Sequence, residues 1–473
     1  MKRKRLCLPA ALMLLLTGCT QAATYQGFVK PDQPASTLKP ISDTYQETVP
    51  VFSDEGTPDS CLAEFASGDG VCQIRQMEHY YDVTIDYAHH TPAEAGRAYA
   101  EAVLKVFPDF HSIVEPYIYE NIVMAFPALR DDYSPVIERV TALAETIRPA
   151  QREELYSYAE AISGGEHGFA PDGKISYEEA LTFNLVPEAL RGTACSALTL
   201  WGSKTVTGDM LASRFLDWNL GSDYQMCKMH AVIHAENGSR SFTGISFLGF
   251  VSVISAVNDD GVFGAILDVG SERSEVQYSY ANKKCYTYEL RYALEEFDTA
   301  RAVGEYMVEN SRDFTYSHHI YLADGKETFC AEDAVGGLQN SGLGYSVLRD
   351  SETPLMESLQ WDHPDSLCVV NSFAAKGNQE SFSGGTGNIV RFNKYNEWLG
   401  GQEKFTVGAY KSAIAREKVR QGEKEGEAEV QNVRNPGTSQ IILVDYHTGR
   451  IQVAFTPASG PSDDVIFTDV GKY

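Results

Sequence analysis

"GTACSALTLWGSKTVTGDMLASRFLDWNLG", running from Gly192 to Gly221, decides how this chain is read. Apolar and β-branched runs flank a Gly- and Asp-bearing centre, which predicts two β-strands joined by a turn near "GSKTVTGD". A sheet needs nothing else at these positions. Yet Cys195 heads the first strand, and Arg214 and Asp217 stand near the end of the second. With the turn centred near residue 206, antiparallel pairing returns Asp217 to the side of Cys195, with Arg214 within one further step. A guanidinium beside a thiol favours the thiolate, its reactive form. A carboxylate there suits an ammonium group. If the bond between Ala194 and Cys195 were cut, the new α-amine, with an ordinary pKa of about 7.7–8.0, would be that group and could shuttle protons near neutrality. One residue would then supply both nucleophile and base.

Upstream of the hairpin the pattern is helical. "TPAEAGRAYAEAVLKVF" opens with Thr91, Pro92 and Glu94, a capping box with proline at the first helical position. "SPVIERVTALAETI" and "AQREELYSYAEAI" continue the period, and Ser176 with Glu179 forms a second capping box. Downstream, short β-branched and aromatic runs follow one another, interrupted by the helical "TYELRYALEEFDTARAVGEYMVEN" and closed by a hairpin over "YHTG". Strands, then helices, then strands predict an α+β layered fold. Residues 413–432 are charged and predict a solvated helix or loop.

The N-terminus is a different kind of sequence. "MKRKRLCLPAALMLLLTGC" has a basic start, an apolar stretch from Leu6 to Leu16, and the ending "LTGC". That combination predicts a lipoprotein signal peptide over residues 1–18, with Cys19 as the lipidated residue. Residues 19–80 are expected to be a polar, Pro-rich tether, residues 81–194 a helical prosegment, and residues 195–473 the catalytic unit. The expected location is the bacterial cell envelope, outside the cytoplasm, with membrane contact through the lipid alone. No later run is long and apolar enough to span a bilayer. The formal charge of −26 at pH 7 becomes more negative once the leader's four basic residues leave, and it argues against a nucleic-acid partner. Seven cysteines remain in an exported, oxidising-permissive chain. Cys61 and Cys72 are expected to pair locally, Cys227, Cys285, Cys330 and Cys368 to pair or stay buried, and Cys195 to stay free.

The hairpin resembles that of the cysteine N-terminal-nucleophile (Ntn) hydrolases, a group that includes bile salt hydrolase, penicillin V acylase, acid ceramidase, N-acylethanolamine acid amidase and acyl-coenzyme A:6-aminopenicillanate acyltransferase. The shared pattern is Cys195-Ser196, a turn, then Arg214-Phe-Leu-Asp217-Trp218. "FLGFVSVISAVNDDGVFGAILDV" resembles the strand pair that follows in this family, with Asp268 where the family often carries an oxyanion-hole asparagine. "LCVVNSF" resembles the Val-Thr-Asn segment and implies Asn371 as an orienting and oxyanion residue. "GTGNIVRFNKYNEWL" matches the helix start that places Arg391 near the nucleophile. The resemblance implies a four-layer αββα sandwich, self-cleavage between Ala194 and Cys195, a prosegment that stays bound afterwards, and attack of Cys195 on a small N-acyl amide. It implies no cofactor. A phospholipase B-like lipid deacylase, which shares a "CSAL" start, and a non-catalytic binding lipoprotein are the alternatives.

No metal site is expected. His89-His90 and His318-His319 are adjacent pairs whose members point to opposite faces of a strand, and a calcium loop running into "PDGKISYEEA" would have Gly168 and Ala170 at its first and third ligand positions, where neither offers a ligand. "SGGTGN" at 383–388 matches no phosphate-loop spacing and predicts a mobile loop before Arg391.

Overall fold

A computed structural model describes residues 50–473, apart from 68, 126–128, 130–131, 191–193, 270–279, 337–343, 379–385, 416–432, 436 and 463. The signal peptide, Cys19 and most of the 413–432 segment lie outside the described residues.

The decisive hairpin forms as β4 (Ala194–Leu200) and β5 (Leu211–Asp217). Its register sets Ala194 opposite Asp217, Cys195 opposite Leu216 and Ala197 opposite Arg214. The hairpin lies in a six-stranded antiparallel sheet of order β13-β4-β5-β14-β15-β16, with β13 Ser366–Val370, β14 Thr438–Asp445, β15 Arg450–Phe455 and β16 Phe467–Lys472. Alternation sorts its two faces. Ala197, Leu216, Val369, Ile442 and Val444 enter one core, and Leu198, Phe215, Cys368, Ile441 and Leu443 enter the other.

The first core lies against a ten-stranded sheet of order β1-β2-β3-β6-β7-β8-β9-β10-β11-β12. Its strands are Cys61–Ala66, Cys72–Met77, Tyr81–Asp86, His230–Glu236, Phe242–Phe247, Ser255–Asn258, Phe263–Asp268, His318–Ala323, Thr328–Asp333 and Ser346–Arg349 for β1, β2, β3 and β6–β12 respectively. Polar bonds cross between the sheets, with Thr199 Oγ1 3.0 Å from Thr328 Oγ1 and Gln440 Nε2 donating to Ser246 O at 2.8 Å. The second core is roofed by α9 (Thr386–Gly401) and α10 (Val407–Ile414), which contribute Phe392, Tyr395, Trp398 and Tyr410.

The ten-stranded sheet carries helices on its other side. Helix α7 (Tyr286–Glu296) sets Leu290 and Leu294 against Gly264, and α8 (Ala300–Glu309) sets Gly304 against Leu322 and Leu348. The N-terminal helices are α1 (Pro92–Val106), α2 (Phe110–Ala125), α3 (Ser134–Ala144), α4 (Pro149–Ser163), α5 (Tyr177–Asn184) and α6 (Val186–Ala189). Both predicted capping boxes are present. Helices α1 and α4 approach closely because position 96 is glycine, where a Cβ would sit 2.2 Å from Glu154 O. Helix, sheet, sheet and helix give the αββα sandwich that the sequence implied.

Three expectations need correction. The 19–80 tether is too long, because Cys61–Ala66 and Cys72–Met77 are strands of the large sheet. The chain is docked even before them: Lys411 Nζ donates to the carbonyls of Ser53, Asp54 and Glu55 at 3.0, 3.2 and 2.9 Å. The 81–194 segment likewise begins with a strand, and β3 pairs with β6 in parallel, the one parallel pairing among the described strands. Cys61 and Cys72 are both free. In the β1–β2 register Cys61 faces Met77 while Cys72 lies beyond the Ala66–Gln73 pair, so the two thiols sit at opposite ends of the hairpin.

Candidate active site

Cys195 is completely buried, and its sulfur, nitrogen and carbonyl oxygen are each held by a different residue. The sulfur accepts from Arg214 Nη2 at 3.1 Å. The backbone N–H donates to Asn371 Oδ1 at 2.6 Å. The carbonyl oxygen accepts from Arg391 Nη1 at 2.8 Å.

The register explains this division. Cys195 and Ala197 share the inter-sheet face, and Arg214, opposite Ala197, joins them there. Its Nη2 also donates to Ile266 O at 2.8 Å, while Nε and Nη1 have no hydrogen-bond partner among the described residues. Asp217, opposite Ala194, falls on the helix-facing side. The expectation that Asp217 sits beside the thiol is therefore off by one step, and its partners come from elsewhere. Its carboxylate accepts from Thr438 Oγ1 at 2.7 Å, Asn435 Nδ2 at 2.8 Å and Arg391 Nη1 at 3.2 Å.

Arg391 is the hub. From α9 it reaches Cys195 O, Asp217 Oδ2, Asn371 Oδ1 at 2.8 Å and Asn388 Oδ1. A planar guanidinium can serve several acceptors in one plane, which a lysine cannot. Asn388 sits one turn before it and donates to Asn371 O at 3.0 Å and Ser372 Oγ at 2.7 Å.

Asn371 follows the last residue of β13, and the Val370–Ser196 pair brings it level with Cys195. Its Oδ1 faces the Cys195 nitrogen, and its Nδ2 donates to Asp268 O at 2.6 Å. In this arrangement Asn371 first orients the nitrogen of the nucleophile, and only its second Nδ2 hydrogen remains for an oxyanion. Asp268 meets the site through its carbonyl. By alternation its side chain shares the face of His318, its cross-strand partner, rather than that of Leu267 and His319. The carboxylate is thus not the counterpart of an oxyanion-hole amide.

Burial dominates the electrostatics. It pushes the Cys195 thiol up; Arg214 partly offsets this, and Asp217 adds to the rise. The thiol is therefore protonated in this sealed state, and the thiolate expected from Arg214 alone does not prevail. Burial likewise pulls the Arg214 guanidinium down and pushes the Asp217 carboxyl up, the latter against Arg391, Thr438 and Asn435.

Sequence reasoning missed Asn388, Asn435 and Thr438. Asn388 stands both in the stretch read as a loop and in the helix-start motif that pointed to Arg391, but its spacing of three from Arg391 was not used to give it a role of its own. Thr438 reaches the site because β14 pairs with β5 and sets it opposite Asp217, which no local pattern announces.

The paired histidines separate as alternation requires. His318 stacks on Tyr286 with ring centroids 4.2 Å apart, and His319 Nε2 lies 3.1 Å from Ser372 O. Among the described residues two other groupings place potential ligand atoms within 4.8 Å of one another: His319 with Cys330 and Glu332, and Asp59 with Glu78 and His79. In the first, Arg349 Nε already lies on the Glu332 carboxylate at 2.5 Å, which disfavours a second cation. A cavity of about 320 Å³ lined by Trp361, Phe392, Leu359 and Arg349 opens beyond β13, and none of the residues around Cys195 lines it.

No protein-family model matches the chain. Protein dcd1B of Dictyostelium discoideum is 24% identical over 194 residues, which is 40% of this chain and 37% of that protein. The chain thus spans well under half the length of that relative. Among solved structures, a Caenorhabditis elegans ortholog of N-acylethanolamine-hydrolyzing acid amidase is 14% identical with a TM-score of 0.34, over 53% of this chain and 92% of that one. Penicillin V acylase from Agrobacterium tumefaciens is 15% identical with a TM-score of 0.33, over 58% and 86%. A mutant of the conjugated bile acid hydrolase from Clostridium perfringens is 12% identical with a TM-score of 0.32, over 59% and 97%.

Proposed function

We propose that the protein is a cysteine amidohydrolase of the N-terminal-nucleophile type, activated by cleavage between Ala194 and Cys195. The observation that carries this reading is the triple hold on Cys195, in which Arg214 takes the sulfur, Asn371 the nitrogen and Arg391 the carbonyl oxygen. A structural cysteine needs none of these.

In the activation step Sγ attacks the Ala194 carbonyl carbon and the thiol proton passes to the Cys195 nitrogen. The C–N bond breaks, leaving a thioester on Sγ and a free α-amine. Water hydrolyses the thioester, releasing the Ala194 carboxylate and restoring the thiol. In turnover the amine, held by Asn371, takes the thiol proton as Sγ attacks an N-acyl carbonyl. It returns that proton to the departing nitrogen. Water, activated by the same amine, then frees the acid from the acyl-thioenzyme. An amine in place of water would give acyl transfer. The oxyanion needs fixed donors, and one such donor contributes about 3–4 kcal/mol in sites of this kind. The second Nδ2 hydrogen of Asn371 is one candidate.

Small acylated amides are the substrate class of this reading, the 81–194 segment stays bound after cleavage, and the leader ending at Cys19 supports a lipid-anchored position in the cell envelope. The test is the mature N-terminus. Purified protein should give two chains under denaturing conditions, one beginning Cys-Ser-Ala-Leu, and Cys195→Ala should remain a single inactive chain. A fully active protein that stays uncut would overturn the proposal.

A further inference from the structure

Behind the triple hold lies a second buried polar cluster that the proposed chemistry does not use. It comes from the last three strands of the large sheet: His319 on β10, Glu332 on β11 and Arg349 on β12. All three side chains reach the chain around Asn371 in the other sheet. Glu332 is fully buried, and its carboxylate accepts from Ala374 N at 3.1 and 3.2 Å and from Ala375 N at 3.2 Å. The same carboxylate takes Arg349 Nε at 2.5 Å, and Arg349 Nη2 donates to Cys368 O at 3.0 Å. His319 Nε2 faces Ser372 O, so that ring nitrogen carries the hydrogen.

These bonds land at residues 368, 372, 374 and 375, on both sides of Asn371. Beyond Val370, where β13 ends, the segment leaves the ladder and is tied on one side by a short antiparallel bridge of Ala375 with Leu355, in which Met356 N donates to Ala374 O at 3.0 Å, while the Ala374 and Ala375 N–H groups turn to Glu332. Its amide N–H groups would cost about 1–3 kcal/mol each if buried without acceptors. A carboxylate is the acceptor that can serve two N–H groups and a guanidinium at once. Burial tends to raise the Glu332 carboxyl, but Arg349 and the backbone donors hold it below its ordinary value. It therefore stays charged through neutral pH.

We infer that Glu332 is a positioning residue for Asn371: with Arg349 and the amides of Ala374 and Ala375 it fixes the segment that aims Asn371 Oδ1 at the Cys195 nitrogen. This rests on the reading of Cys195 as the nucleophile. The effect has a definite chemical channel. Asn371 holds the nitrogen that departs in self-cleavage, so a loosened Asn371 slows the step in which that nitrogen takes its proton.

Glu332→Gln keeps the shape but replaces one acceptor oxygen by a donor, which must face either the Arg349 guanidinium or the backbone N–H groups. Self-cleavage is the readout, because its substrate is the chain itself. Rates are measured for wild type, Glu332→Gln, Asn371→Ala and the double variant. Glu332→Gln should slow cleavage about 10–100-fold, but less than about 2-fold further in the Asn371→Ala background, because residues acting through one another are not additive. Glu332→Asp, which keeps the charge, should recover much of the rate; should Glu332→Gln fail to fold, Arg349→Lys, which cannot hold Glu332 and Cys368 O with the same fork, takes its place in the cycle. Full additivity with Asn371→Ala, or a wild-type rate in Glu332→Gln, would overturn the inference. A wild-type chain that never cleaves would instead overturn the proposed function, and this inference with it.

Discussion

Asp217→Asn isolates one charge at the site without disturbing its shape. The carboxylate has two edges. Oδ2 accepts from Arg391 and Asn435, which can only donate there, while Oδ1 accepts from the Thr438 hydroxyl, which can reverse its role. An asparagine therefore fits with its oxygen at the first edge and its amide donating to Thr438 Oγ1. Every hydrogen bond survives, and only the negative charge is lost. At the 3.2 Å separation of Arg391 Nη1 and Asp217 Oδ2, and an effective dielectric of 20, the Coulomb energy is ~5 kcal/mol. Relief of the carboxylate's burial offsets part of this. The remainder leaves Arg391 undercompensated beside Cys195 O, in line with the ~3–5 kcal/mol cost of breaking a buried pair. If about 1.5–3 kcal/mol of that falls on the reaction, self-cleavage and turnover drop by roughly 10–150-fold. The assay is the fraction of uncut chain against time, followed by turnover of an N-acyl amide normalised to titrated thiol. Cleavage and turnover within two-fold of wild type would show that the Asp217 charge plays no part in the chemistry.

Arg214→Lys should cost more than 10-fold in turnover, because at this fully buried position a compact, strongly hydrated ammonium costs more to desolvate than the delocalised guanidinium and gives up its charge more readily; an unchanged rate would remove Arg214 from the site. Glu154→Gln should lower the urea midpoint of the uncut Cys195→Ala protein by the equivalent of about 3 kcal/mol, since it breaks the buried 2.7 Å pair with Arg291; no change would show that the 81–194 segment contributes little at that contact. Glu188, buried against Thr287, has its carboxyl raised to about 7, so the stability linked to its proton is full below about 4.5 and lost as pH rises through about 7. Wild type should therefore lose up to about 3 kcal/mol relative to Glu188→Gln between those limits, and parallel urea-midpoint profiles would refute this. Cys19→Ala should move the protein from the membrane fraction to soluble material or stall its processing, and a variant still processed and membrane-bound would refute lipidation.

What the sequence made legible follows from separation along the chain. The Cys195–Asp217 hairpin is local, so its two strands and the approach of Arg214 to the thiol could be read from a turn and a count. The face that Asp217 occupies could not, because a one-residue error in register exchanges the faces. Asn371 and Arg391 came from motif resemblance, whereas Thr438 and Glu332 reach their partners across sheet pairings and sheet stacking that leave no local trace. The misread tether has a different cause. "CLAEFA" and "CQIRQM" form the edge of the large sheet, and β1 is largely solvent-exposed along its length. Only Ala63 and Phe65 of β1 are partly buried, and β2 alternates over just Cys72 and Ile74 against exposed Gln73 and Arg75, so the pattern is too short to stand out from a polar linker.

The placement of that edge bears on the activation step. The segment before Cys195 is not a cap laid over a finished domain. Through β3 it enters the large sheet in register with β6, from Tyr81 against Ala231 to Asp86 against Glu236. Its helices continue the contact: Tyr117 OH accepts from Trp218 Nε1 at 2.6 Å, and Asn184 Oδ1 accepts from Val251 N at 2.8 Å. A parallel pair needs no covalent turn between its strands, so cutting the chain at Cys195 removes no ladder bond. In the proposed reading the cut thus changes one covalent bond and little else. The new amine appears where the Cys195 nitrogen already lies, on Asn371 Oδ1, and the protonated thiol gains water at the opened end of β4. Hydration lowers the burial penalty on the sulfur, while Arg214 continues to favour its anion. Cleavage would then create the base and lower the thiol pKa in the same event, so the chain before the cut holds a nucleophile competent for one intramolecular attack but not for turnover.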